Sequence, residues 1–474
     1  SPVTETATIT QPMRPPVDTH RIAWMVMLIA FFSFCSLSLL LSGGVYYFLF
    51  QSSRPMVTDL QVSRGTSGLV ASDFTQQFIT SPVPTDIRGG SKISTDAQSQ
   101  AVISFRTSGD DDLPVLATIT AENSTSFHVN QARNPRFSWS SGYYSIILTE
   151  FAGELDLFIR PHLERAFRME IHTINGTRIL ITNPGRYSVE FDETNLRVIT
   201  REGRALVFKP DAETGKLVSR GEEVTYIVER DIIIADDSPA NLLTNSLFAY
   251  PDSDEIESET DLLPLGWACS LNADSPPIGN FQPDEWQGRT AIRLLRGNEA
   301  RSHGQTRCFQ DFHGDGVDVS DYTYLEIQTT FLINFQSLSS CGIDGSECPM
   351  MLLMYYTDAE GNAREWHQGF YARRDPQVPY PLTCTTCYQR IQEHRRIGEQ
   401  VWYTYESNNL LTQLREEERP VKIQRLEFYA SGHEYDVFVS ELALLAEEDG
   451  IVPPSDNLVP QSQQTPEATS ESAP

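Results

Sequence analysis

The chain runs to 474 residues, enough for two or three domains that each bury their own core. It sets 64 acidic side chains against 36 lysines and arginines, a formal net charge of -28. So acidic a body repels phosphate backbones, and no nucleic-acid partner is expected.

Residues 22–50, IAWMVMLIAFFSFCSLSLLLSGGVYYFLF, carry no charge. The run exceeds the roughly 20 residues that cross a bilayer core and the about 7–15 apolar residues of a signal peptide. No small-residue cleavage pattern follows it, and Cys35, in FSFC, lacks the small residues that precede a lipid-modified cysteine. Trp24 stands near one end and Tyr46 and Tyr47 near the other, where aromatic belts sit. A single transmembrane helix is expected over 22–50, behind a short cytoplasmic tail over 1–21. Arg14 and Arg21 before the span balance Arg54 and Arg64 after it, so charge does not orient it. The cysteines do: six of the seven lie between Cys269 and Cys387, an even cluster suited to an oxidising exterior. The bulk of the chain is therefore expected outside a cell membrane. The first residue is Ser1, not methionine, which leaves room for a longer inside segment.

Residues 51–85, rich in Ser, Thr, Gln and Pro, read as a stalk. From 86 to 235 short alternating strands follow: Tyr187, Val189 and Phe191 alternate with polar residues, as do Leu196 and Val198. Gly185, Gly203 and Gly221 recur every eighteen residues with about two strands between marks. That interval points to a β-roll or short β-solenoid, with a hairpin-rich β-sandwich as the alternative.

Within this stretch GGSKISTDAQSQAVISF (89–105), ITNPGRYSVEF (181–191), REGRALVF (201–208) and LVSRGEEVTYI (217–227) resemble the FecR domain. The four segments stand in the family's order, although the hairpin segment is loose and an acidic Asp110-Asp111-Asp112 loop replaces the usual D-G-S turn. The resemblance implies a bacterial envelope protein with a β domain just outside a single span. The family also implies sigma-factor regulation through a helical module inside the cell. The inside tail here has about twenty residues with four prolines and cannot fold as such a module. Signalling is accordingly the alternative function.

ADDSPA (235–240) marks the next boundary. NLLTNSLFAYPDSDEIESETDLLPLGW (241–267) resembles the opening of carbohydrate-binding, galactose-binding-like β-sandwich modules. Leu325, Ile327, Phe331 and Ile333 share a face of YLEIQTTFLIN, interrupted by Thr329. MLLMYYTDAEGNAREWHQGFY (351–371) reads as a hairpin, and 425–445 closes with two strands. The fold class is thus mainly β: a transmembrane helix, a FecR-like roll, then a jelly-roll sandwich over 241–447. Residues 448–474 are Pro-, Ser- and Gln-rich and are expected to be disordered.

The exterior cysteines, Cys269, Cys308, Cys341, Cys348, Cys384 and Cys387, can form three disulfides. We expect Cys269–Cys308 between early strands, with the other four tying the 341–348 loop to the 384–387 loop. A four-cysteine zinc site is the rival, disfavoured by its loose first spacing. A redox dithiol at Cys384-x-x-Cys387 lacks the βαβ context it needs.

No nucleophile elbow, P-loop, H-E-x-x-H or dinucleotide fingerprint is present, and the histidines, His367 and His433 among them, are scattered. A non-enzyme is expected. Sugar-binding sandwiches stack rings on exposed aromatics. Trp286, Trp366, Tyr371 and Tyr380 are the candidates for this, with Trp267 and Trp402 assigned to the core. No cofactor is expected beyond a structural calcium, for which Asp436 and the strand after Asn241 are the places to look. The expected function is recognition of an extracellular glycan or envelope protein. A purely structural envelope role is the third reading.

Overall fold

The computed structural model describes residues 19–108, 114–250, 263–297, 299–387 and 392–447. The Asp110-Asp111-Asp112 loop, the 448–474 tail and all but the last three residues of the inside tail lie outside these ranges. The chain divides into two compact units: residues 19–54 with Pro135–Gly142, and Pro55–Asn134 with the residues from Tyr143 on.

The first unit is built on one helix, Thr19–Phe50. It is apolar on every side, and no residue of its apolar run is buried. A helix apolar all round has no polar face to give to water, and it satisfies its own backbone, as hydrocarbon requires. The 135–142 loop lies at its C-terminal end: Arg136 N donates to Ser52 O at 3.0 Å and Ser140 Oγ to Phe50 O at 2.6 Å.

The second unit is mainly β. Toward its N-terminal end a pair of long sheets shares a single core. Sheet I runs in the order Gln76–Ile79, Ser67–Val70, Ser91–Thr95, Ser126–Pro135, Tyr144–Ile159, Phe167–Thr173, Arg178–Ile181, Arg204–Phe208, Lys216–Ser219. Sheet II runs Val57–Arg64, Gln100–Arg106, Val115–Ala121, Tyr144–Ile159, Gly185–Phe191, Asn195–Glu202, Glu222–Ile227, Ile232–Asp237. The long strand Tyr144–Ile159 belongs to both. Its first half pairs in sheet I, register slips between Thr149 and Ala152, and its second half pairs in sheet II. Glu150 (φ 53°) and Gly153 (φ 106°) take the positive dihedrals of this bulge.

The eighteen-residue glycine interval has a structural meaning. At Gly185 the chain crosses from sheet I to sheet II, at Gly203 it crosses back, and at Gly221 it returns. Each crossing needs a positive φ, and Gly203 (φ 95°) also passes so near the Tyr187 hydroxyl that a Cβ there would lie 2.0 Å from it. That hydroxyl donates to Asn183 O at 2.9 Å and accepts from Arg204 N at 3.1 Å, fastening one crossing to the next. The N-P-G-R-Y and R-E-G-R segments are therefore the hardware of a roll.

The expectation of a stalk over 51–85 is overturned. Val57–Arg64 pairs with Gln100–Arg106, and Met56, Leu60, Val62 and Leu69 are buried. The polar residues that suggested a stalk alternate with these apolar ones, as in any strand with two different faces.

The C-terminal half is a two-sheet sandwich. Sheet III has the order Asn280–Trp286, Arg289–Arg296, Tyr435–Glu447, Tyr324–Gln336, Tyr403–Glu406. Sheet IV has the order Ala268–Ala273, Gly304–Asp311, Lys422–Gly432, Met350–Thr357, Ala363–Tyr371, Arg395–Arg396. Between them lie Trp267, Leu325, Ile327, Phe331, Ile333, Trp366 and Phe428, all in one core. Thr329, which interrupts the apolar face in the sequence, is fully buried and gives its hydroxyl to Glu441 O at 2.6 Å.

Sheets II and III are packed outer face to outer face. The seam holds some apolar contact, with Val102 meeting Ala291, Leu332, Val401, Trp402 and Phe438. Most of it is polar. Gln100 Nε2 donates to both Glu122 oxygens at 2.8 Å and to Thr404 O at 2.7 Å, while Thr404 N donates back to Gln100 Oε1 at 3.1 Å. Arg289 Nη2 donates to Thr118 Oγ1 at 2.7 Å, and its guanidinium lies 4.3 Å from the Phe158 ring centre.

Candidate binding face

With sheet III covered, the broad surface the sandwich has left is the outer face of sheet IV. Strand alternation sets what it presents. Gln305, Arg307, Phe309 and Asp311 point outward from Gly304–Asp311, alternating with Thr306, Cys308 and Gln310, which are buried. Register then places Tyr429, Glu427 and Arg425 beside Arg307, Phe309 and Asp311. Met351, Leu353 and Tyr355 come next, followed by Gly369, His367 and Glu365.

Some of this face is roofed. The loops over 337–349 and 372–387 cover Met351, Leu353, Tyr371 and Tyr429, which pack with Cys341 and Cys348. Cys269–Cys308 forms as expected, across paired strands. The other expected connectivity is corrected: Cys341 bonds Cys348 and Cys384 bonds Cys387, each within its own loop. The two loops are tied to each other by hydrogen bonds instead. Thr385 N reaches Asp344 O at 2.9 Å, and His394 Nε2 meets Gly345 O at 2.6 Å. Cys341, Cys348 and His394 have possible ligand atoms within 4.8 Å of one another, but sulfurs bonded in a disulfide offer no thiolate to zinc.

Beyond the roof the face carries charge over aromatic rings. Arg425 grips Asp311 with Nε–Oδ1 at 2.5 Å and Nη2–Oδ2 at 2.9 Å, and its guanidinium lies 4.0 Å from the Phe309 ring centre. The Arg307 guanidinium lies 5.6 Å from the Tyr429 ring centre and donates to Gln305 Oε1 at 2.5 Å. Between them sits Glu427, whose side chain is 0% exposed, with Arg307 Nη1 at 3.5 Å and Arg425 Nη1 at 4.0 Å. Neither Glu427 oxygen has a hydrogen bond. Burial pushes its carboxyl up, the two arginines pull it down, and Glu365 and Asp311 add to the rise. His367 Nε2 meets Glu365 Oε2 at 3.0 Å, and burial holds the imidazole below its usual range despite that partner.

Two guanidiniums thus lie over rings beside a buried carboxylate, with acceptors at Asp311 and Glu365 on the rim. Their side chains remain 31% and 32% exposed. Donors and acceptors alternate at short spacing in fixed positions, which matches a ligand whose hydroxyls both donate and accept.

The aromatic residues singled out in the sequence are not on this surface. Trp366 is fully buried between the sheets, and Tyr371 is 3% exposed beneath the disulfide loops. Trp286 is half-buried at the seam, its ring centre 5.2 Å from that of Phe438. Tyr380 is half-buried in the long loop. Of the two candidates for calcium, Asp436 accepts from Arg293 twice at 2.8 Å and from Asn334 Nδ2 at 2.6 Å. Asn241 Oδ1 accepts from Leu243 N at 3.1 Å and Leu444 N at 3.0 Å. Both are occupied by protein donors. Arg307, Tyr355, Arg425 and Glu427 were missed in the sequence. The available signal was the alternation of Arg307 and Phe309 around Cys308, a residue already assigned to a strand.

No family model and no curated protein matches the chain. Solved structures resemble portions of it. A Parabacteroides distasonis protein assigned as an anti-sigma factor shares 13% identity over 31% of this chain and 59% of its own, with a TM-score of 0.21. TmCBM61 in complex with β-1,4-galactotriose shares 11% over 44% of this chain and 99% of its own, at 0.22. The CBM22-1 xylan-binding domain of Paenibacillus barcinonensis Xyn10C shares 9% over 45% and 99%, at 0.24.

Proposed function

We propose that the chain is a membrane-anchored, extracytoplasmic recognition protein of a bacterial cell envelope, and that the outer face of sheet IV holds a polyhydroxylated, glycan-type ligand. The observation that carries this reading is the pair Arg307 and Arg425, seated on aromatic rings over the buried Glu427. Exposed ion pairs add little to stability, at most about 1 kcal/mol each. A fully buried carboxylate beneath two of them is costly. What the arrangement gains is preorganisation: long side chains that would lose rotamer freedom on binding are already fixed. Arg and Tyr are also the residue types that dominate recognition hot spots.

Binding fits this face better than catalysis. Asp311 is held by Arg425 and Glu427 lies between two guanidiniums, whereas a general acid or base needs a group within reach of a substrate proton. The unburied apolar helix supports a membrane anchor, and the three disulfides support an oxidising compartment.

The test is a screen of the detergent-solubilised chain against neutral and acidic polysaccharides, with Arg307→Ala and Arg425→Ala beside the wild type. Retained binding of a polysaccharide that each variant weakens at least tenfold supports the reading. Binding that neither variant changes moves the site elsewhere, and capture of an envelope protein with no polysaccharide bound replaces the ligand class.

A further inference from the structure

The unit built on the apolar helix contains a second feature that its length does not require. Loop 135–142, which joins the strands Ser126–Pro135 and Tyr144–Ile159, carries Arg136, Phe137 and Trp139. These are not scattered. Phe137 meets Phe48, in the last turn of the helix, edge to face with ring centres 5.5 Å apart. Trp139 stacks on Phe137 at 4.8 Å with the ring planes 14° apart. Arg136 lies 5.4 Å from the Phe48 ring centre on the same cluster. Two hydrogen bonds fix the loop there, Arg136 N to Ser52 O at 3.0 Å and Ser140 Oγ to Phe50 O at 2.6 Å.

The result is a short aromatic ladder leading sideways from the end of the helix. Its outer rung, Trp139, is 60% exposed. A tryptophan held this open has no reason in packing, since its stacked face is already satisfied by Phe137. The ladder continues the helix's own apolar surface: Val45 and Tyr47 are 56% and 66% exposed, and Phe48 is 49%. An amphipathic ring with one polar N–H, next to an arginine and level with the end of an apolar span, has the chemistry of the headgroup layer. There Trp and Tyr place their rings at the glycerol level, and Arg reaches phosphate.

We propose that loop 135–142 is a second, interfacial attachment to the bilayer, with Trp139 inserted at the level of the lipid headgroups. The occupant is the lipid surface around the end of the helix. The proposal rests on the reading that the helix crosses a membrane.

The experiment uses the full chain in nanodiscs whose lipids carry bromine either near the glycerol backbone or at the acyl-chain ends, comparing wild type with Trp139→Phe. Bromine quenches tryptophan fluorescence by contact. Trp24 and Trp139 are the tryptophans of this unit, so quenching by shallow bromine should fall by roughly half in the variant, with quenching by deep bromine unchanged. Quenching by shallow bromine that is the same in both proteins overturns the proposal. Flotation with liposomes, read in parallel, separates the two failures. A chain that floats with Trp139 unquenched overturns the loop's role alone, and a chain that does not float overturns the span as well.

Discussion

Arg186, on sheet II, donates from Nη1 to Oε2 of Glu441, on sheet III, at 2.6 Å, with the two side chains only 8% and 6% exposed. The pair joins residues 255 apart in sequence across the seam. Arg201 Nη1 stands 3.8 Å from the other Glu441 oxygen. Burial alone would raise the Glu441 carboxyl, but Arg186, Arg201 and Arg289 outweigh it and hold it below its usual range.

Removing one partner of such a pair leaves a buried charge without compensation, and a loss of about 3–5 kcal/mol is expected. Glu441→Gln should cost more than Arg186→Met, because it strands several guanidiniums where the other change strands one carboxylate that Arg201 still serves. Arg289 marks the stress already present: burial and the nearby Arg186 lower its guanidinium to about 9. Urea titration of the two variants and of the double variant measures the coupling. Equal, sub-1 kcal/mol effects would mean the seam opens independently of this pair.

The same seam should make stability fall with rising pH. Burial, then Asp156, Glu190 and Glu326, push Glu154 up to about 8. Burial likewise raises Glu122 and Glu406 well above the usual range, with neighbouring carboxylates adding to it. For an acid whose folded pKa is raised, the unfolded chain gives up its proton first, so the folded state holds more protons between the two values. The stability these raised acids contribute is therefore full below about 4.5 and drains as pH climbs toward about 8. Melting temperature followed from pH 5 to 8 should decline, and Glu154→Gln should flatten the slope. A wild-type curve that rises over that window contradicts the assignment.

How much of this was legible depends on what each face of a strand meets. The helix was readable because charge is absent for its whole length, and the glycine marks because a sheet crossing needs a positive φ at each. Cys269–Cys308 could be placed because both cysteines lie in strand-like runs. The seam was not readable. Asp156, Arg186, Glu326 and Glu441 sit on strands at the alternate positions that normally face water, with Glu122 just past the end of another, and nothing local distinguishes a carboxylate facing solvent from one facing another sheet. Two of the aromatic candidates are out of a ligand's reach for a related reason. Trp366 and Tyr371 have the composition of a sugar platform, but the hairpin's inner face and the disulfide roof bury them. The stalk was misread because Gln61 and Ser63 look like linker residues while lying on a strand whose other face is core.

The disulfides should be unequal in worth. Cys269–Cys308 closes a separation of 39 residues, and Cys384–Cys387 one of 3. On the chain-entropy account the first contributes about 4 kcal/mol and the second about 2. Serine pairs at each position, compared by urea midpoint, should show that order. If the Cys384–Cys387 pair proved the costlier to remove, its role would lie in holding the roof over Tyr371 and Tyr429, and thermolysin cleavage within 372–394 would rise in step.

Glu427 offers the sharpest test of the binding face, because it touches no ligand and acts only through Arg307 and Arg425. Glu427→Gln keeps the volume and removes the charge that both guanidiniums face. It should relieve the cost of a buried carboxylate without hydrogen bonds, so stability should hold or rise. At the same time the arginines lose their common anchor and must be ordered by the ligand instead, about 0.5–1.5 kcal/mol for each side chain. A loss of polysaccharide affinity of roughly 5- to 150-fold at unchanged or higher melting temperature is the expected result, read by calorimetry as a less favourable binding entropy. A variant that loses stability and affinity together would make Glu427 a folding residue, and one that keeps full affinity would show that Arg307 and Arg425 are positioned by their rings alone.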